Sequence, residues 1–278
     1  MKNKYHRTLY IPGICGQSTV WKRDIVGYCN TADTIISFGN LIGCNDYVAD
    51  TINDGHNHSV LNMTYLYQMY FDDFVQLIGP NEIAALCSPK TWTNTKSVRH
   101  LQSQWLETEG IFKVAEERHG RLVTHAGLTK GQWDSIDKPD TAREAADRLN
   151  EKFSGTLYQG PALRLGNGPV YDANPIWADP VEEVYPSWVM STEPCPFDQV
   201  HASGSLNSEY GRASISSDVS PLRHVDKPSL RPFGSTVLIK NALFQSVHIG
   251  LDGEVLKRIP KTQSLLIERH PKTSEKAD

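Results

Sequence analysis

The chain has 278 residues, 39% of them hydrophobic, with a formal net charge of -4 at pH 7. That is enough apolar material to bury a full core in one large domain, which excludes a disordered chain. The charge supplies no basic field of the kind that carries non-specific nucleic-acid affinity, so nucleic acid is not an expected partner.

The N-terminal stretch MKNKYHRTLYIPG runs directly into a strand-like segment without an apolar leader core. Three β-rich runs each end near a glycine: residues 5–11 before Gly13, 34–38 before Gly39 and 74–78 before Gly79. Residues 59–71 place apolar side chains at helical spacing, and residues 100–118 do so again before the strand-like RLVTH at 121–125. A further helix is predicted over 140–153. Strands alternating with helices predict an α/β sandwich with its ligand site at the carboxyl ends of the strands.

Residues 155–231 are rich in Gly, Pro, Ser and Asn and predict a long irregular excursion over the surface. The chain then returns to β-like segments at 235–239, 246–249 and 263–267, which predict the closure of a second sheet. The expected organisation is a single domain over 1–270 with that excursion, followed by a polar tail at 271–278.

Five cysteines (Cys15, Cys29, Cys44, Cys87 and Cys195) are scattered without a CxxC pair, so neither a disulfide framework nor a zinc ribbon is indicated. No window approaches the roughly 18 apolar residues of a membrane span. The expected location is cytoplasmic, or the host cytoplasm for a viral protein, with no membrane partner.

The glycine loops form an ordered set: Pro12-Gly13-Ile14-Cys15-Gly16, then Gly39-Asn40-Leu41-Ile42-Gly43-Cys44-Asn45, then Gly79-Pro80-Asn81-Glu82, Thr124-His125-Ala126-Gly127 and Val200-His201-Ala202-Ser203-Gly204-Ser205. In this order and at these strand ends the set resembles the five motifs of the calcineurin-like metallophosphoesterases, usually written GDxHG, GDxxDRG, GNH[DE], THAG and xHGHxH. Ile176-Trp177-Ala178-Asp179-Pro180 is similar to the WARP segment of bacterial and phage members. The resemblance covers roughly residues 5–250. It implies that family's fold, a four-layer β-sandwich flanked by helices.

It also implies a pair of divalent ions about 3.5–4 Å apart that activate a water and clamp a phosphate. Carried over position by position, the first aspartate of the family is Gly13 and its histidine Cys15. The bridging aspartate is Asn40, the ligand asparagine Pro80, the acid-like histidine Asn81, and the first histidine of the last box Ser203. The arginine that would face phosphate is Cys44, and His125 alone survives as a typical ligand. Two dications at that separation repel by about 16 kcal/mol at an effective dielectric near 20, so an anionic bridge is needed, and Asn40 is neutral. Magnesium or manganese also demand carboxylate oxygens. Only Glu82 offers one, and its family equivalent sits beside the metals.

The expectation is therefore a catalytically inactive phosphoesterase scaffold without a cofactor, a pseudophosphatase. It would act by binding a protein partner or a nucleotide-like phosphate ligand in a vestigial cleft. The residues expected to line that cleft are Cys15, Asn40, Asn81, Glu82, His125 and His201, with backbone amides of the glycine loops able to receive an anion. One alternative is an active phosphoesterase with an altered, mononuclear site, in which His125, with Cys15, Asn40 and His201, holds a single zinc or manganese. Another is a structural subunit that forms a homo-oligomer through residues 155–231.

Several residues have blander readings. The stretch Asp54-Gly55-His56-Asn57-His58 is an HxH candidate in a loop, read as solvated side chains. Cys15 and Cys44 lack an arginine in register to activate a thiolate and are read as space-fillers. Among the tryptophans Trp92, Trp105, Trp133, Trp177 and Trp188, the last two are the candidates for an exposed role. Arg212, Arg223 and His224 are read as solvated.

Overall fold

A computed structural model of the chain describes residues 6–11, 13–14, 16, 18–22, 26, 32–42, 54–71, 73–87, 112–154, 174–178, 183–184, 187–188, 191, 193, 195–203, 236–240, 245–249, 254–258 and 265–269. Cys15, Cys44, Trp92, Trp105, Arg212, Arg223 and His224 lie outside these residues.

Strands β1 (His6–Ile11), β2 (Thr34–Ser37) and β3 (Phe74–Gln76) pair in parallel, so their carboxyl ends share one edge. β10 (Leu265–Arg269) lies antiparallel beside β1, and β9 (Glu254–Arg258) completes the order β3-β2-β1-β10-β9. The second sheet runs β4-β5-β6-β8-β7, from β4 (Ala115–Arg118), β5 (Arg121–Thr124), β6 (Asp198–Ser203), β8 (Gln245–Ile249) and β7 (Thr236–Lys240). β5 and β6 are parallel, with Thr124 opposite His201.

Alternation along the strands sorts the core. Tyr10, Ile36 and Val75 from the first sheet, together with Phe38 and Leu77 just past its strands, share one buried cluster with Val123 and Val200 from the second. Their neighbours Leu9, Ile11, Ile35 and Phe74 point the other way, to a cluster with Trp21, Val60 and Leu61. Strands buried on both faces carry apolar residues at successive positions, as in Leu9-Tyr10-Ile11, Ile35-Ile36 and Phe74-Val75.

Trp21 belongs to α1 (Ser18–Trp21), and Val60 and Leu61 to α2 (Asp54–Tyr70). On α2, Asn57, Val60, Leu61 and Thr64 are buried at the i, i+3, i+4, i+7 spacing of one helical face. Trp21 Nε1 donates to Thr64 Oγ1 at 2.8 Å, and Thr64 Oγ1 donates to Val60 O, so the threonine of that face is satisfied. Past that face, Leu66, Met69, Tyr70 and Phe71 are exposed. On the second sheet, α5 (Ala142–Ser154) buries Ala142, Ala145, Ala146, Leu149 and Phe153 in a cluster with Ala115 and Leu122. Asn150 fastens it to β4: its Oδ1 accepts from Val114 and Ala115 N–H, and its Nδ2 donates to Ala115 O.

Three sequence expectations are corrected. Residues 115–118, expected within a helix over 100–118, form strand β4, because Arg118 and Arg121 bracket a His119-Gly120 turn with both central residues at positive φ, a hairpin geometry. The HxH stretch is not a loop but the first turns of α2, where His58 sits one turn from Asn62, whose Nδ2 is 3.2 Å from His58 Nε2. The segment at 263–267 closes the first sheet, because β10 pairs with β1.

Within 155–231 the described residues include β6 and core side chains: Ile176, Val184 and Trp188 are 0% exposed. Trp188, a candidate for an exposed role, instead donates its Nε1 to Leu128 O at 2.7 Å and packs against Trp133 of α4 (Lys130–Ser135). Trp177 is half-buried. No helix among the described residues is long and apolar enough to cross a membrane.

Candidate functional site

Three parallel strands deliver their following loops to one place. After β2 the chain passes through Gly39 (φ 94) and Asn40 (φ 52), both left-handed, and turns back over residues 40–42. Glycine takes that conformation freely, and asparagine is among the few others that tolerate it. After β3 the chain reaches Gly79 and enters α3 (Pro80–Cys87).

The GPNE tetrapeptide is a helix start. Proline occupies the first helical position, where its missing N–H is no loss, and Glu82, two positions later, reaches back to the N–H of Gly79 at 3.0 Å. The three loops pack tightly on Asn40. A Cβ at Gly79 would lie 2.4 Å from Asn40 N, and one at Gly13 would lie 2.9 Å from Asn40 Cβ.

Glu82 ties the second and third loops together. One carboxylate oxygen accepts from Asn40 N–H (2.8 Å) and Gly79 N–H (3.0 Å), the other from Leu41 N–H (2.7 Å) and Ile42 N–H (3.2 Å). The side chain is 0% exposed. Burial pushes its carboxyl up to about 7, while the four N–H bonds pull in the opposite direction. Asn40 and Asn81 complete the junction: Asn81 N–H donates to Asn40 Oδ1 at 3.0 Å, and Asn81 Nδ2 donates to Ile42 O at 2.7 Å.

The second sheet adds two imidazoles. His125 follows β5, and its Nδ1–H donates to Phe38 O, the residue before Gly39, which bridges the two sheets. A carbonyl can only accept, so Nδ1 carries the proton and Nε2 the lone pair. Burial lowers His125 to about 4 despite that bond, and burial with the neighbouring His125 lowers His201 to about 3. Both rings are neutral at physiological pH. Gly127 (φ 101) permits the packing, since a Cβ there would lie 3.2 Å from His201 Cδ2. Pro175, the residue before the WARP-like segment, accepts from Ala126 N–H of this loop at 2.7 Å.

The fold thus brings Asn40, Asn81 and Glu82 into one hydrogen-bonded cluster and sets His125 beside it, with His201 next to His125. Cys15 lies outside the described residues. That backbone amides of the glycine loops could receive an anion was expected from the sequence; which of them converge, those of Asn40, Leu41, Ile42 and Gly79, and that Glu82 is what they meet, was not. The helix-start pattern of GPNE was a usable signal for the Gly79 contact.

Among the described loop residues, Gly13 and Asn40 carry no carboxylate, Asn40 Oδ1 accepts from Asn81, and both oxygens of Glu82 are engaged by N–H donors. Among the described residues no group of three or more His, Cys, Asp or Glu side chains is placed to hold a metal ion. Comparison of the chain with protein-family models and with curated proteins gave no match.

Proposed function

We propose that the chain is a calcineurin-like phosphoesterase scaffold, with the family's helix-sheet-sheet-helix layering, whose cleft has exchanged metal chemistry for a hydrogen-bonded plug, and that it works by binding. What supports the reading is the fate of one carboxylate. Glu82 is the acidic side chain at the loop junction, and its four acceptor positions are directed at backbone N–H groups. With neutral Asn40 between the loops, no anion remains to hold two dications against their repulsion of about 16 kcal/mol at an effective dielectric near 20.

The same geometry weighs between the two expected kinds of partner. The amides that could cradle a phosphate already face Glu82, which favours a protein partner over a nucleotide-like ligand. The exposed Leu66, Met69, Tyr70 and Phe71 at the end of α2 offer apolar area to such a partner. The test is elemental analysis of the purified protein for Zn, Mn, Fe and Mg beside a phosphodiester hydrolysis assay with manganese. Sub-stoichiometric metal and no turnover are expected, and two equivalents of metal with brisk cleavage would sink the reading.

A second reading, a hydrolase with one metal at His125, draws support from the His125 tautomer. A neutral ring that donates Nδ1–H to a carbonyl keeps an Nε2 lone pair, as metal-binding histidines do. It requires His125→Ala to abolish both bound metal and turnover.

A further inference from the structure

Two loops from neighbouring parallel strands converge their backbone N–H groups on one point. Asn40, Leu41 and Ile42 contribute three successive donors, beginning at the left-handed Asn40, that converge on the Glu82 carboxyl group. Gly79 contributes the fourth from the start of α3. We propose that these four N–H groups are an oxyanion-binding cradle and that the chain supplies its own occupant, the Glu82 carboxylate.

The occupancy is complete in geometry. A carboxylate has two oxygens with two acceptor directions each, and each oxygen here takes two donors at 2.7–3.2 Å. The four partners are all main-chain dipoles. The loops approach closely enough only because residue 79 lacks a side chain, since a Cβ there would lie 2.6 Å from Asn40 Oδ1. The two loops are held together through this one carboxyl group. The ligand class of the cradle is a small planar or tetrahedral oxyanion such as formate, acetate or phosphate, admitted only when Glu82 is absent. The assignment stands on geometry alone and is independent of whether the protein hydrolyses anything.

The experiment is chemical rescue. Glu82→Ala is melted with increasing sodium formate, and in parallel with sodium chloride at equal ionic strength, beside the wild-type chain. The variant is expected to melt lower than wild type and to recover by about 2 °C or more as formate exceeds its Kd, whereas wild type responds to formate no more than to chloride. A variant as stable as wild type, or a formate effect equal in both proteins, overturns the proposal. Amide hydrogen exchange on the wild-type chain gives a reading even if the variant does not fold. The N–H groups of Asn40, Leu41, Ile42 and Gly79 are expected to exchange about 100-fold or more slowly than free amides, and exchange at the free rate overturns the assignment.

Discussion

Asn81 donates its backbone N–H to the side-chain oxygen of Asn40 at 3.0 Å across 41 positions of sequence, and returns with its own side-chain amide to the carbonyl of Ile42 at 2.7 Å. Asn40 is thus held by two separable demands, an acceptor oxygen and a left-handed backbone at φ 52. Asn40→Gly removes the acceptor and keeps the backbone, for an expected loss of about 1 kcal/mol. Asn40→Ala adds the strain of a Cβ in the left-handed region, about 1–2 kcal/mol more. Denaturant midpoints of both variants check the order. Equal loss in the two would show that the backbone conformation contributes nothing.

A carboxylate placed at residue 13 should not create a metal site. A Cβ at Gly13 would lie 2.9 Å from Asn40 Cβ, so Gly13→Asp forces the first and second loops apart before any carboxylate can reach an ion. The expected result for Gly13→Asp is a loss of about 1–3 kcal/mol, with metal content by elemental analysis no higher than wild type. Gly79→Ala meets main-chain atoms of Asn40 at 2.4 Å, and a loss at the upper end of the same range is expected.

Among the described residues, three buried groups shape the response to acid between pH 4.5 and 6.5. His125 and His201 are held neutral down to about 4 and about 3, against 6.5 for a free imidazole, so as pH falls below 6.5 the unfolded chain takes up two protons that the folded chain refuses. Glu82, raised from 4.5 to about 7, acts in the opposite sense: the folded chain holds its proton between those values and the unfolded chain does not. Its contribution is fully present below pH 4.5 and lost as pH rises through 7. The balance of these three groups is one proton over pH 4.5–6.5, a fall in stability of about 1.4 kcal/mol for each unit of acidification. Urea unfolding at pH 6.5, 5.5 and 4.5 measures it. Glu82→Gln should steepen the dependence and His125→Asn should flatten it. A pH-independent wild-type midpoint contradicts this balance, and the two variants then show which assignment fails.

Trp188 is 0% exposed and donates to Leu128 O at 2.7 Å, although it lies in a stretch whose composition reads as surface loop. Trp188→Ala is expected to destabilise by about 3–5 kcal/mol. Trp188→Phe separates the hydrogen bond from the packing and should cost a smaller amount. A loss below 1 kcal/mol for the alanine variant would place this tryptophan outside the core.

Much of the architecture was legible because it is written in local periodicity. The runs over β1, β2 and β3 and the glycines after them could be read directly, since a strand buried on both faces carries apolar residues at successive positions and a chain reversal at its end favours glycine. The helical face of α5 was legible for the same reason. The 115–118 strand was not, because AEER carries no β pattern and becomes a strand only by pairing with β5. Trp188 and β6 were hidden by flanking residues whose composition mimics a loop.

The sequence by itself determined which side chains stand at the loop positions, and so the absence of carboxylates from Gly13 and Asn40. That is a matter of residue identity and needs no coordinates. Only the tertiary structure decided what Glu82 does there. Its partners are main-chain N–H groups, identical in every residue type, and they converge on one carboxylate only after strands some forty residues apart lie side by side and Gly79 lets their loops touch.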